Sequence, residues 1–309
     1  MARLGRTDLD VFPLCLGGNV FGWTADERAS FEVLDAYVAA GGNFIDSSDS
    51  YSAFAPGNVG GESEAMLGKW FAARGNRAEV VLATKVGRKP DRRGLSPTNI
   101  RTAVSESLER LQTDYIDVYY AHEDDQDTPL EEALTTFDEL IREGKVRYIA
   151  ASNYEAPRLE QALRTSDERG LARYVAVQPE YSLVERQDYE GALEDLCVRE
   201  GLACVPYWVL ARGFLTGKYR PGIEVDSPRA GQVAPYLEDN GAMAVLGAVD
   251  RIAQARGTTV AAVALAWVRA QPGVVAPIAS ARNAQQLAEI LPGATLELSD
   301  DELRELSSL

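Results

Sequence analysis

Histidine and cysteine are nearly absent from this chain, which has one histidine, His122, and three cysteines among 309 residues. Cys15, Cys197 and Cys204 are odd in number and form no CxxC pair, a pattern of reduced, buried thiols rather than a disulfide frame or a zinc site. A metal centre would have to be built from carboxylates, and no such cluster stands out, so no metal is expected. No apolar run approaches the roughly 20 residues of a membrane helix, and the opening Met1-Ala2-Arg3-Leu4-Gly5-Arg6 carries no apolar signal region. The expectation is a cytoplasmic protein without a membrane partner. A net charge of −16 argues against a nucleic-acid partner, and any anionic ligand needs a locally basic pocket. Lysine is scarce too, five against 26 arginines, which makes a lysine at the end of a strand conspicuous. A glycine-rich dinucleotide turn is also missing: Gly17-Gly18 and Gly60-Gly61 lack the G-x-G-x-x-G spacing.

What is present is an alternation of short apolar strands and amphipathic helices. Leu4 to Val11 alternates around a turn and predicts a hairpin. Strands are expected at 14–16, 43–46, 80–85, 115–121, 146–151, 175–178, 203–207 and 274–278, with helices between them. Asp26 to Ala40 is periodic and stops at Gly41-Gly42, and a further helix is expected around 63–73. Ser96-Pro97 and Thr128-Pro129 each look like a cap opening a helix. Ser299 to Glu302 is a capping box for a last helix. Residues 222–240, rich in proline and glycine, read as an irregular loop that either walls the substrate or lies in solvent. Eight βα units with no linker predict an α/β protein, a single-domain (β/α)8 barrel over 1–309, with an N-terminal hairpin and an extra C-terminal helix. A doubly wound sheet is the alternative, and it would normally bring the missing glycine turn.

In such barrels the active site forms at the C-terminal ends of the strands. Those ends carry Asn19, Asp46 with Tyr51, Lys85, His122, Ser152-Asn153, Gln178, Tyr207, and Ser280 with Arg282. Any one of them alone reads as a solvated, capping or core residue; their coincidence on one face carries the weight. A phenol transfers protons poorly at neutral pH unless a cation favours its phenolate, which Lys85 would do. Asp46 would hold Lys85 charged, and His122 could donate to a substrate oxygen. The set suits protonation of an alkoxide as hydride reaches a carbonyl carbon, and it offers no evident covalent nucleophile.

Several motifs support a more specific reading. They are Gly42-Asn43-Phe44-Ile45-Asp46 followed by Tyr51; Gly61-Glu62-Ser63-Glu64 with Leu67-Gly68; Thr84-Lys85; Asp117-Val118-Tyr119-Tyr120-Ala121-His122; Gly144-Lys145-Val146-Arg147-Tyr148-Ile149 with Ser152-Asn153; and Gly213-Phe214-Leu215-Thr216-Gly217-Lys218. Together they resemble the aldo-keto reductase superfamily over nearly the whole chain. The resemblance implies an NADPH-dependent reductase, with NADH as the second choice, acting on a small carbonyl or alcohol. Its catalytic tetrad would be Asp46, Tyr51, Lys85 and His122, with Tyr51 the general acid. Ser152, Asn153 and Gln178 would hold the nicotinamide carboxamide and Tyr207 its ring. Leu210, Arg212, Gly213, Leu215 and Lys218 would follow the pyrophosphate, and Ser280, Arg282 and Gln286 the adenosine end, with Arg282 on a 2′-phosphate. Trp23, Phe54 and Trp208 would wall the substrate pocket. The competing reading is a nicotinamide-binding sensor or regulatory subunit with little turnover.

Overall fold

A computed structural model describes residues 1–309. The hairpin pairs β1 (Ala2–Arg3) antiparallel with β2 (Asp10–Val11). Then come β3 (Cys15–Gly17), α1 (Glu27–Ala39), β4 (Phe44–Asp46), α2 (Glu62–Arg74) and β5 (Val81–Val86). A small hairpin, β6 (Arg88–Lys89) and β7 (Arg92–Arg93), precedes α3 (Pro97–Leu111), β8 (Ile116–Ala121), α4 (Leu130–Arg142) and β9 (Val146–Ser152). The remainder runs α5 (Ala156–Arg169), β10 (Tyr174–Gln178), α6 (Ala192–Glu200), β11 (Ala203–Cys204), α7 (Ala230–Glu238), α8 (Asn240–Arg256) and α9 (Val260–Arg269). It ends with β12 (Ile278–Ala279), α10 (Ala284–Ile290) and α11 (Asp300–Ser307).

Eight of these strands form one parallel sheet in the order β11-β10-β9-β8-β5-β4-β3-β12. Its two ends meet. Cys204 N–H donates to Gly273 O at 2.8 Å, Val275 N–H to Cys204 O at 2.9 Å and Ile278 N–H to Pro206 O at 2.9 Å, giving the predicted (β/α)8 arrangement. Some caps behave as the sequence predicts: Asp26, Ser96 and Ser299 each accept from a first-turn N–H. Thr128 does not. Its hydroxyl donates to Asp125 at 2.7 Å, and Pro129 occupies the cap position without a side-chain bond.

The period of two along each strand explains where the polar residues go. Positions facing the barrel interior are apolar low down (Phe44, Val81, Ala83, Val118, Tyr120, Ala150, Ala176, Ala203) and form a core separate from the larger one between sheet and helices. The next interior position upward is in turn Asp46, Lys85, His122, Ser152, Gln178 and, beyond β11, the residue two past Val205, Tyr207. The lower end is filled by Leu4, Leu9 and Val11 of the hairpin. Contact there is close enough to require glycine: a Cβ on Gly5, at φ +52°, would lie 2.6 Å from Val175 O.

The segment 222–240 differs from its sequence reading. It contains α7, which keeps Pro235 in its interior at the cost of one backbone hydrogen bond and buries Val233. Tyr236 on the same helix donates to Glu185 at 2.7 Å, and these anchors compensate for the helix-breaking composition.

Candidate active site

Asp46 and Lys85 are carried by adjacent strands and are fully buried. Lys85 Nζ donates to Asp46 Oδ2 at 2.6 Å, to Ser47 O at 2.8 Å and to the Tyr51 phenol at 2.6 Å. Tyr51 in turn donates to Asp46 Oδ2 at 2.7 Å, closing a triangle, and Gln178 Nε2 holds the other carboxylate oxygen at 3.0 Å. The triangle is built by backbone pairing that continues past the end of β4: Ser47 N–H donates to Ala83 O and Asp49 N–H to Lys85 O, so the turn carrying Tyr51 stays in register with the strand carrying Lys85.

Burial, reinforced by Asp46, raises the Tyr51 phenol well above its ordinary value. Burial lowers the Lys85 ammonium, against the pull of Asp46. Burial and the carboxylate act on the phenol in the direction opposite to the influence expected of Lys85. The resting phenol is protonated because desolvation and the nearby carboxylate outweigh one ammonium, and a protonated phenol is the form a general acid needs. His122 is 8% exposed and is held well below its ordinary value by burial and then by Lys85 and Arg88, so it is neutral at physiological pH. Its Nδ1 meets the Ser48 hydroxyl at 3.1 Å and the Ser50 hydroxyl at 3.4 Å, and its ring stands edge-on to Tyr51 with centroids 6.2 Å apart.

Above this floor opens a cavity of about 660 Å³. Tyr51 and His122 line it, as do Ser152, Asn153, Gln178 and Tyr207, which are wired to one another. Ser152 Oγ donates to Gln178 O at 2.8 Å, Asn153 Nδ2 to His122 O at 2.8 Å, and the Tyr207 phenol to Asn153 Oδ1 at 2.7 Å. Asn153 holds φ +57°, in the left-handed region that asparagine tolerates best among residues with a side chain. Leu210, Arg212, Gly213, Lys218, Ser280, Arg282 and Gln286 also face the cavity, and so do Trp23, Phe54 and Trp208. Trp23 and Phe54 meet edge to face at 4.7 Å, while Trp208 lies under the Arg212 guanidinium at 3.8 Å. Leu215 is the exception: its side chain is fully buried in the outer core and does not reach the cavity. A motif locates its backbone but not the direction of its side chain.

The model of the aldo/keto reductase family matches residues 13–309. The chain belongs to this family. It is 36% identical to an uncharacterized oxidoreductase, YrpG, of Bacillus subtilis, covering 99% of this chain and 94% of that protein. It is 34% identical to Protein tas of Escherichia coli, covering 99% and 96%, and 32% identical to norsolorinic acid reductase B of Aspergillus parasiticus, covering 96% and 80%. The chain is an oxidoreductase of a family that generally uses nicotinamide cofactors.

The cavity of this aldo/keto reductase fits such a cofactor on chemical grounds. Six cations line it, Arg88, Arg93, Arg212, Lys218, Arg229 and Arg282, against one carboxylate, Glu289, in a chain whose net charge is −16. Arg212 is paired with Glu180 at 3.0 Å, but Lys218, Arg229 and Arg282 have no carboxylate partner. Burial, together with repulsion from Arg282 and Arg212, lowers the Arg229 guanidinium. Cations that line a cavity without counter-ions have the chemistry to receive phosphate groups. Ser280 closes this end by donating to Asn19 at 2.6 Å, and Gly17 beneath it has no room for a side chain, since a Cβ would lie 2.6 Å from Ser280 Oγ.

Sequence reasoning missed Arg229, together with Ser227 and Pro228 beside it, because the segment reads as irregular. It also missed Arg88 and Arg93, whose small hairpin has no apolar alternation to reveal it. The one available signal was their place directly after a functional strand. No helix of this protein is long and apolar enough to cross a membrane, and no group of histidine, cysteine and carboxylate side chains could hold a metal.

Proposed function

We propose that the chain reduces aldehydes or ketones to alcohols, with NADPH as the hydride source and Tyr51 as the general acid. The observation that carries this reading is the Asp46–Lys85–Tyr51 triangle at the floor of a cavity whose far end gathers unpaired cations. When bound, a dihydronicotinamide supplies the hydride for a carbonyl carbon. Tyr51 gives its proton to the carbonyl oxygen as charge develops there, and Lys85, 2.6 Å from the phenol oxygen, stabilises the phenolate that remains. Asp46 keeps Lys85 charged and fixed. With Nδ1 engaged by serine hydroxyls, His122 offers its other ring nitrogen to the same substrate oxygen.

Ser152, Asn153 and Gln178 would orient the carboxamide and Tyr207 the ring face. Leu210, Arg212, Gly213 and Lys218 would border the pyrophosphate, with Leu215 contributing only backbone. Ser280, Arg282 and Gln286 would take the adenosine end, and the pairing of Arg229 with Arg282 favours a phosphorylated ribose. The Aspergillus relative, named for the reduction of norsolorinic acid, supports carbonyl reduction.

Tyr51→Phe keeps the ring and removes the proton. Turnover of simple aldehydes, read by NADPH absorbance, falls about a hundredfold to ten-thousandfold while cofactor binding, read by fluorescence, persists. Undiminished reduction in this variant would remove Tyr51 from the mechanism. Failure of the unaltered protein to reduce any aldehyde or ketone would favour the sensor reading.

A further inference from the structure

The cavity-lining cations divide between two arcs of the barrel. Lys218, Arg229 and Arg282 lie with the proposed cofactor positions, whereas Arg88 and Arg93 belong to the hairpin that follows β5, the strand of Lys85. Their charge is therefore not placed to serve the phosphates at the far end. Arg88 acts electrostatically on both His122 and Tyr207, which locates its guanidinium over the reacting end of the cavity.

The hairpin register makes this placement costly unless an anion answers it. Arg88 and Arg93 are direct cross-strand partners, so their side chains share one face, and like charges directly opposed destabilise a strand pair. The other face is neutralised: Lys89 pairs with Asp91 at 3.3 Å and Arg92 with Glu106 at 2.7 Å. On the cavity face Arg88 has a single partner, Glu123 at 3.0 Å, which does not line the cavity, and Arg93 has none. Leu95 N–H donates to Asp125 at 2.6 Å, tying the hairpin to the loop after His122 and fixing the pair above the site.

We infer that the carbonyl substrate carries an anionic group, a carboxylate or a phosphate, and that Arg88 and Arg93 receive it. The inference rests on the reductase reading and deepens it. An arginine fork is suited to either group, and an accessible charge-assisted contact supports a preference of about tenfold. Trp23 and Phe54 give the same cavity an apolar edge.

Two matched pairs test this: 4-carboxybenzaldehyde against methyl 4-formylbenzoate, and glyceraldehyde 3-phosphate against glyceraldehyde. At low ionic strength the charged member of at least one pair has a kcat/KM about tenfold higher, and the pair that responds distinguishes carboxylate from phosphate. Arg93→Glu reverses that ratio, added salt reduces it, and the Arg88→Gln, Arg93→Gln double variant brings it to about 1. No preference in either pair, or a preference that survives in the double variant, would overturn the inference. Calorimetric titration of the same four compounds reads the preference without turnover. Failure of the unaltered protein to turn over any aldehyde or ketone would sink the reductase reading, while the titration would still decide the anion preference.

Discussion

The two arcs of the barrel handle charge in opposite ways. In the arc of β3, β4, β5 and β8 the groups around the Asp46–Lys85–Tyr51 triangle are buried and satisfied by one another, Lys85 by Asp46 and, behind it, Glu64 by Arg110 at 2.7 Å and by Thr84 at 2.5 Å. Asp49 and the exposed Arg88–Arg93 pair of the hairpin after β5 are the exceptions. In β9, β10, β11 and β12, with the loops that follow them, cations face the cavity without partners, and Trp208, Ala211 and Arg212 all hold left-handed backbone within five positions. Left-handed backbone at a residue with a side chain costs about 1 kcal/mol or more. The triangle is held by the protein's own groups, as proton transfer requires of groups that must not reorganise. The second arc presents cations that a bound anion would complete. Substitutions in the triangle should therefore damage the free protein, and substitutions among the unpaired cations of the second arc should damage the complex.

The sharpest break of this contrast is Lys85→Met. It leaves the Asp46 carboxylate buried beside a phenol with no cation, and breaking a buried pair on one side typically costs about 3–5 kcal/mol. Denaturant unfolding of the cofactor-free variant reads that loss, and turnover vanishes with it. A variant that keeps the parent midpoint would mean the triangle is not part of what holds the first arc together.

Asp49 is the weak point of the same arc and gives the next largest effect. Its Oδ2 is buried with no hydrogen-bond partner, and burial, with repulsion from Glu64 outweighing Arg110 and Arg92, pushes its carboxyl up to about 7. The folded protein thus holds a proton there that the unfolded chain, with an ordinary value of 3.8, has released. Its contribution to stability is complete below the unfolded value and is lost as pH rises through about 7. Asp49→Asn abolishes that slope. Between about pH 5 and about pH 8 the variant should gain roughly 2–3 kcal/mol over the parent in unfolding free energy. A difference independent of pH would show that Asp49 is already charged and satisfied in the fold.

The same division tracks what the sequence reveals. The first arc was legible because its interior positions alternate, Val81, Ala83, Lys85 and then Val118, Tyr120, His122, so the period of the strand carries Lys85 to the triangle beneath the cavity and His122 to its wall. The rarity of histidine and lysine made those two ends stand out. What spacing cannot supply is dielectric: it placed Lys85 beside Tyr51 but could not show that burial raises the phenol, because desolvation depends on everything packed around it. In the second arc the nicotinamide-side positions end strands and were readable in the same way. Arg229 was not, since it precedes a helix that keeps a proline and is held by contacts remote in sequence. Leu215 shows the converse, a motif position whose side chain turns into the core.

The smallest effect falls in the second arc and carries the opposite sign. Arg229 is half-buried, is repelled by Arg212 and Arg282 and has no carboxylate of its own, so in the free protein it is a liability. Arg229→Leu retains much of the apolar contact of the stem and removes the repelled charge. The cofactor-free variant should unfold about 1 kcal/mol later than the parent, while its NADPH affinity falls about tenfold and its NADH affinity changes far less. The two measurements must move in opposite directions. If both stability and NADPH affinity fall, Arg229 is a structural residue and the second arc is built like the first. If neither cofactor is affected, the phosphates lie elsewhere in the cavity, and the unpaired cations need another anion to explain them.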